Sequence, residues 1–164
     1  MSLETTPQIH ISLRFKRFFR DDETFEKFDS TEEHNRIFKA KNQVLLAKFG
    51  RAPSRSKIEQ VCEQAKGKGE TRVYLLFREK KEFQCYAAKV SGVFLDKPSA
   101  GQHPEYYQSV ELDPSCWFVL ASPIKPVSID NLVLAKPERP LTDVLRNAEQ
   151  VCYLLRRHPR DPNS

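Results

Sequence analysis

Thr71-Arg72-Val73-Tyr74-Leu75-Leu76-Phe77, then a short charged turn through Glu79-Lys80-Lys81, then Phe83-Gln84-Cys85-Tyr86-Ala87-Ala88-Lys89-Val90, is the stretch on which the fold turns. Two apolar runs of strand length joined by a few charged residues predict a hairpin, and the near-continuous apolarity of the first run places it at the centre of a sheet. Upstream, Ile9, Ile11, Leu13 and Phe15 alternate with His10, Ser12, Arg14 and Lys16, the period-two pattern of a strand with one buried face. Val44-Leu45-Leu46-Ala47 and Cys116 to Ala121 have the length and apolarity of buried strands. Residues 124–134 hold two short apolar pieces divided by Asp130-Asn131.

Helices are expected between these strands. Phe25 and Phe28, then Ile37 and Phe38, are helically spaced after caps at Asp22 and Ser30. Ser56 and Glu59 have capping-box spacing, and Ile58, Val61, Cys62 and Ala65 form an apolar stripe that Gly67 and Gly69 end. Thr142 is the expected cap of a last helix carrying Val144, Leu145, Ala148, Val151, Cys152 and Leu155 on one stripe. Leu95 to Glu105, with Pro98, Gly101 and Pro104, lacks periodicity and is read as a long loop, the kind more often functional or mobile. The fold class is therefore α+β, a small mixed β-barrel with helices packed outside. One domain is expected over residues 9–157, between a flexible N-terminus, 1–8, and a flexible tail, 158–164.

Composition narrows the function. Lys and Arg number 27 against 22 Asp and Glu, a formal charge of +5 that permits a polyanionic partner. Cys62, Cys85, Cys116 and Cys152 lie far apart with no C-x-x-C pair, which removes zinc-ribbon and finger patterns and leaves buried thiols of an intracellular protein. No apolar run approaches the roughly 20 residues of a membrane helix. His10, His34, His103 and His158 are scattered and are each expected at the surface. The chain has no G-x-x-x-x-G-K-[ST], no G-x-G-x-x-G and no G-x-S-x-G, so neither an enzyme nor a cofactor is expected.

The hairpin, with its preceding helix Lys57-Ile58-Glu59-Gln60-Val61-Cys62-Glu63-Gln64-Ala65, resembles the central unit of YTH domains, which bind single-stranded RNA. Cys116-Trp117-Phe118-Val119 is similar to that family's K-W-I-F-V strand, and Lys136-Pro137-Glu138-Arg139-Pro140-Leu141 resembles its N-K-P-V segment. The resemblance runs over residues 41–157 and departs at two points: the S-V-N-x-S-G turn is shortened to Arg78-Glu79-Lys80-Lys81-Glu82, and an F-x-G glycine is Cys85. YTH domains recognise N6-methyladenosine in an aromatic cage, and counting back from Ile58 puts Lys48 where the cage has its first tryptophan. The resemblance thus implies RNA binding with methyl-adenosine selectivity weakened or lost. It extends to the wider PUA-like barrels, EVE and ASCH domains included, and an EVE-type reader of modified DNA bases is an alternative.

Single-stranded RNA is held by aromatic stacking and cationic contacts to phosphate, so loop aromatics beside Arg or Lys are the candidate site. Three places qualify: Lys48 and Phe49 with Arg51 and Arg55; Phe94, Tyr106 and Tyr107 around the long loop; and Lys136 with Arg139. Adjacent tyrosines in an extended segment point opposite ways, so one of Tyr106 and Tyr107 is expected at the surface. Trp117 is read as core. Arg14, Lys16, Arg17 and Arg20 form a further candidate track for phosphate. The partner expected is single-stranded RNA bound by a monomer. The runner-up is a protein-interaction domain on the same barrel, and a nucleic-acid-modifying enzyme is the distant third.

Overall fold

The computed structural model describes residues 9–20, 27–49, 52–67, 70–79, 82–109, 113–129, 132–134 and 154–157. In chain order the strands are β1 (His10–Arg14), β2 (Phe18–Arg20), β3 (Lys27–Asp29), β4 (Val44–Phe49), β5 (Arg72–Glu79), β6 (Glu82–Phe94), β7 (Pro114–Leu120), β8 (Lys125–Pro126), β9 (Leu132–Leu134) and β10 (Leu154–Arg157). The helices are α1 (Ser30–Lys41) and α2 (Arg55–Lys66), with one 3-10 turn at Glu105–Ser109.

Eight strands form one mixed sheet in the order β4-β7-β6-β5-β1-β10-β9, with β8 paired to β6, while β2 and β3 make a separate hairpin. The β5–β6 hairpin lies at its middle, in register from Arg72↔Lys89 to Glu79↔Glu82. β1 joins β5 in parallel, Ile11 opposite Val73 and Leu13 opposite Leu75. The class is α+β. Among the described residues no pairing joins the end strands β4 and β9.

Strand periodicity sorts the apolar side chains into clusters. Cys116, Phe118 and Leu120 of β7 join Ile11, Leu13, Val73, Leu75, Ala88 and Val90 in the main core, which Ile58 and Val61 of α2 complete and against which Ile37 and Phe38 of α1 pack. The alternate residues Trp117 and Val119 cluster with Leu45 and Tyr107. A third group is built on Tyr74, Leu76, Cys85, Ala87 and Leu132. Cys85 and Cys116 are buried and Cys62 partly so, all as free thiols. Burial pushes the Cys85 thiol up to about 12, far from a reactive thiolate.

Both helices start one or two residues earlier than their sequence signals. Asp29, not Ser30, caps α1: its carboxylate accepts from the Thr31 amide at 2.9 Å and from the Thr31 hydroxyl at 2.6 Å. Ser54 caps α2 by accepting from the Lys57 amide at 3.3 Å, so the spacing of Ser56 and Glu59 is not a capping box, and Gly67 closes the helix as expected.

Two expected helical segments are corrected. Phe28 lies in β3, opposite Phe19, because the Asp29 cap starts the helix only after it; Phe25 and Asp22 fall outside the described residues. Of the last expected helix, residues 142–153 also fall outside, but Leu155 belongs to a strand, β10, paired with His10 of β1 and Leu134 of β9. Pairing along the open edge of β1 satisfies a row of backbone groups, which decides the backbone state against a helical count of apolar positions.

The loop 95–104 closes over the edge of β4. The Leu45 amide donates to the Gln102 carbonyl at 2.8 Å, and two residues on the Ala47 amide donates to the Tyr107 hydroxyl at 3.0 Å. The donors that an end strand would leave open are thereby covered. Gly101 permits the approach: its φ is +118°, and a Cβ there would stand 3.0 Å from Leu45 Cγ. Gly101→Ala is expected to cost about 1–3 kcal/mol in urea unfolding, and a loss below about 0.5 kcal/mol would show that the loop is not held this way.

Candidate functional site

The residues most tightly organised by this loop surround one tyrosine. In the 3-10 turn, successive side chains rotate by about a third of a circle rather than alternating, so both tyrosines turn inward. Tyr107 is buried and Tyr106 partly so, which corrects the expectation that one of the pair stands at the surface. Their rings meet edge to face at 4.9 Å, and Phe49 meets Tyr107 in the same manner at 5.3 Å. His103 stacks on Tyr107, 5.1 Å between centroids and 9° between planes, and leans against Trp117 at 5.5 Å.

His34 of α1 receives this cluster from the other side. It is fully buried, correcting its expected surface position, as does His10, which is also buried and accepts from the Arg72 amide. A carbonyl only accepts, so the 2.7 Å contact to the Ser30 carbonyl assigns the His34 proton to Nδ1. Nε2 is then the acceptor, and the Tyr107 hydroxyl donates to it while accepting from Ala47. One hydroxyl thus ties α1, the β4 edge and the loop together. Burial lowers the His34 pKa to about 4, opposed by the bond to Ser30 and assisted by nearby His103, so the ring is neutral at pH 7. Burial also drives the Tyr107 hydroxyl well above its ordinary value.

Outside this packed layer lies a cleft of about 500 Å3 lined by Glu33, Arg36 and Ile37 of α1 and by Lys97 and residues 101–105 of the loop. Lys97 also stands over the Trp117 ring, its Nζ 5.9 Å from the centroid. Trp117 pairs in register with Phe94, which is 47% exposed. The Phe94 ring lies across Gly92, where a Cβ would come within 2.9 Å of it. The result is one exposed ring, Phe94, in register with the buried Trp117, and a cleft, joined to Trp117 through Lys97, that holds two cations, two carboxylates, an amide and an imidazole.

The candidate residues from the sequence separate into three groups. Phe49, Tyr106 and Tyr107 converge, as packing around the loop, and Phe94 is an exposed ring in register with Trp117 of the same cluster. Lys48 is buried, its Nζ donating to the Phe49 carbonyl at 3.0 Å, and Arg55 is exposed at the start of α2. Arg51, Lys136 and Arg139 lie outside the described residues. Of the expected track, Arg14 lies over the Phe83 ring at 4.6 Å, and Arg17 pairs with Asp29 at 2.9 Å and lies over Tyr86 at 5.1 Å. Those two guanidinium groups are occupied in holding β1 and the following segment. Sequence reasoning missed the polar lining of the cleft, Glu33, Arg36, Lys97, Gln102, His103 and Glu105; the one available signal was His103-Pro104 inside the aperiodic loop.

Among the described residues, no three His, Cys, Asp or Glu stand together so as to hold a metal ion, and no helix is long and apolar enough to cross a membrane. Comparison of the chain with family models, with curated proteins and with solved structures returns no match.

Proposed function

We propose that this chain is a single-stranded RNA-binding module on a PUA-like barrel, YTH-like in outline, with methyl-adenosine selectivity weakened or lost. The observation that carries the reading is the exposed Phe94 ring, which lies against Gly92 in register with Trp117, over which stands Lys97, a cation that also lines the charged cleft. An exposed ring next to cations is what an unpaired base and its phosphates use. Glu33, Gln102 and Glu105 offer acceptors and donors to a base edge in the cleft. The mixed sheet, with β1 and β5 parallel at its centre and both helices on one core, supports the barrel-type fold.

The weakened selectivity rests on ring count. A buried methyl group gains about 0.8 kcal/mol before any effect of shape, so strong discrimination needs several rings facing one base. Lys48 is buried on its own neighbour's carbonyl, and Tyr107 and Trp117 are consumed by packing.

Fluorescence anisotropy of a labelled single strand tests the proposal. Affinity is expected to fall with salt at a log-log slope near −0.7 per phosphate contact. Phe94→Ala is expected to weaken binding by roughly ten-fold or more, the scale of one lost base stack of about 1–3 kcal/mol, and Lys97→Glu to weaken it and reduce the salt slope. Methylated and unmethylated strands are expected within about three-fold of each other, near 0.65 kcal/mol. No binding at low salt, or full binding by both variants, would overturn the reading. Phe94 and Leu95 are each 47% exposed and adjacent, which favours the second reading, a protein-interaction face. Its mark would be a protein partner lost on Phe94→Ala with no RNA bound at any salt.

A further inference from the structure

A second hollow, of about 290 Å3, is lined by Arg72, Ala87, Ala88, Lys89, Ser122, Pro123, Lys125 and Val127, and it shares no lining residue with the cleft. Its three charged lining residues are all cations. Sheet register explains their meeting. Arg72 of β5 is directly opposite Lys89 of β6, and Lys125 of β8 is directly opposite Ala87, two residues from Lys89 along the same strand. Alternation therefore turns all three side chains to one face.

The cations are held in different degrees. Arg72 is fixed: its Nε and Nη2 both contact Glu70 Oε1 at 3.0 Å, and the Tyr74 hydroxyl adds a further bond. Lys89 reaches the same carboxylate oxygen at 3.6 Å from an exposed position. Lys125 is exposed and has no ion pair among the described residues. One shared carboxylate thus stands against three positive charges. Ser122 fixes the wall by accepting from the Lys89 amide at 2.8 Å, and Ala87, Pro123 and Val127 make the remainder apolar.

We propose that this hollow is a phosphate-binding pocket, in which Lys89 and Lys125 close on a phosphate group that Arg72, set by Glu70 and Tyr74, orients. A planar guanidinium beside mobile ammonium groups matches the charge and acceptor geometry of phosphate, and a hollow at the small end of ligand sites admits the phosphate and a small attached group. The proposal does not rest on the RNA reading, because it concerns a different set of residues.

The test is an amide-resolved NMR titration of the whole chain with inorganic phosphate, with 5′-AMP, and with a single-stranded RNA lacking terminal phosphates. Saturable shifts are expected at Lys89 and Ser122, and in the double variant K89Q/K125Q they should need about ten-fold more ligand, the loss of roughly one charge-assisted contact. Both lysines are exposed, so an unchanged melting temperature verifies that the variant folds. Tighter binding of 5′-AMP than of the RNA would assign the pocket to a small phosphomonoester, and the reverse to the strand's own backbone. Shifts that do not saturate, that fall elsewhere, or that persist unchanged in the double variant would overturn the proposal.

Discussion

Acidification from pH 7 to pH 4 is expected to remove about 3 kcal/mol of folding stability through one residue, His34. Its pKa is lowered from 6.5 to about 4 in the folded chain, first by burial. The unfolded chain therefore binds the proton more readily. The stabilisation is complete above pH 6.5, declines as pH falls through the interval, and is spent near pH 4. Asp29 titrates lower: burial raises its pKa, but bonds from Thr31 and Arg17 outweigh that and hold it below the ordinary carboxylate value of 3.8, so its contribution is lost at more acidic pH. Urea unfolding at a series of pH values checks this, with a slope approaching one proton between pH 5 and pH 6. His34→Gln should cost stability at pH 7 and flatten that slope. An unchanged slope in the variant would mean that another group is titrating.

The largest loss from a single truncation is expected at Trp117, where Trp117→Ala should cost about 3–5 kcal/mol, with Leu75→Ala close behind at about 2–5 kcal/mol. Leu75 is fully buried at the middle of the main core, opposite Leu13 and Tyr86. Trp117 is 7% exposed and touches His103 and Tyr107, so its removal opens a void under the loop as well as against the sheet. Phe94→Ala, one strand away, should cost far less, about 1 kcal/mol or below, because its ring is only half buried. Denaturant unfolding of the three variants would decide the matter; losses below about 0.5 kcal/mol at both Leu75 and Trp117 would refute the core assignment.

The parts of the fold that were legible in the sequence are those whose pattern is local. Val73 to Val90 reads as a hairpin because two apolar runs and a charged turn say so without reference to the rest of the chain, and α2 is marked by its stripe and by Gly67. Phe28 and Leu155 misled because apolar spacing permits a helix, whereas strand pairing with Phe19 and with His10 decided the outcome. The site was half legible. Aromatic residues around an aperiodic loop pointed to Phe49, Phe94, Tyr106 and Tyr107, but their division into packing and surface depends on a 3-10 turn. The bond between Tyr107 and His34 spans 73 positions, a distance at which spacing carries no signal.

The loop over β4 serves two masters, and this limits how the chain can change. Residues 95–105 supply Lys97, Gln102, His103 and Glu105 to the cleft, while Gln102 and Tyr107 seal backbone donors that would otherwise recruit a strand from another molecule. A relative that drifted toward a new ligand by remodelling this loop would also risk self-association. Ser99 and Ala100 are exposed and hold neither task, so variation has free room there, whereas Gly101, Gln102 and Tyr107 tie the shape of the cleft to the sealing of the β4 edge.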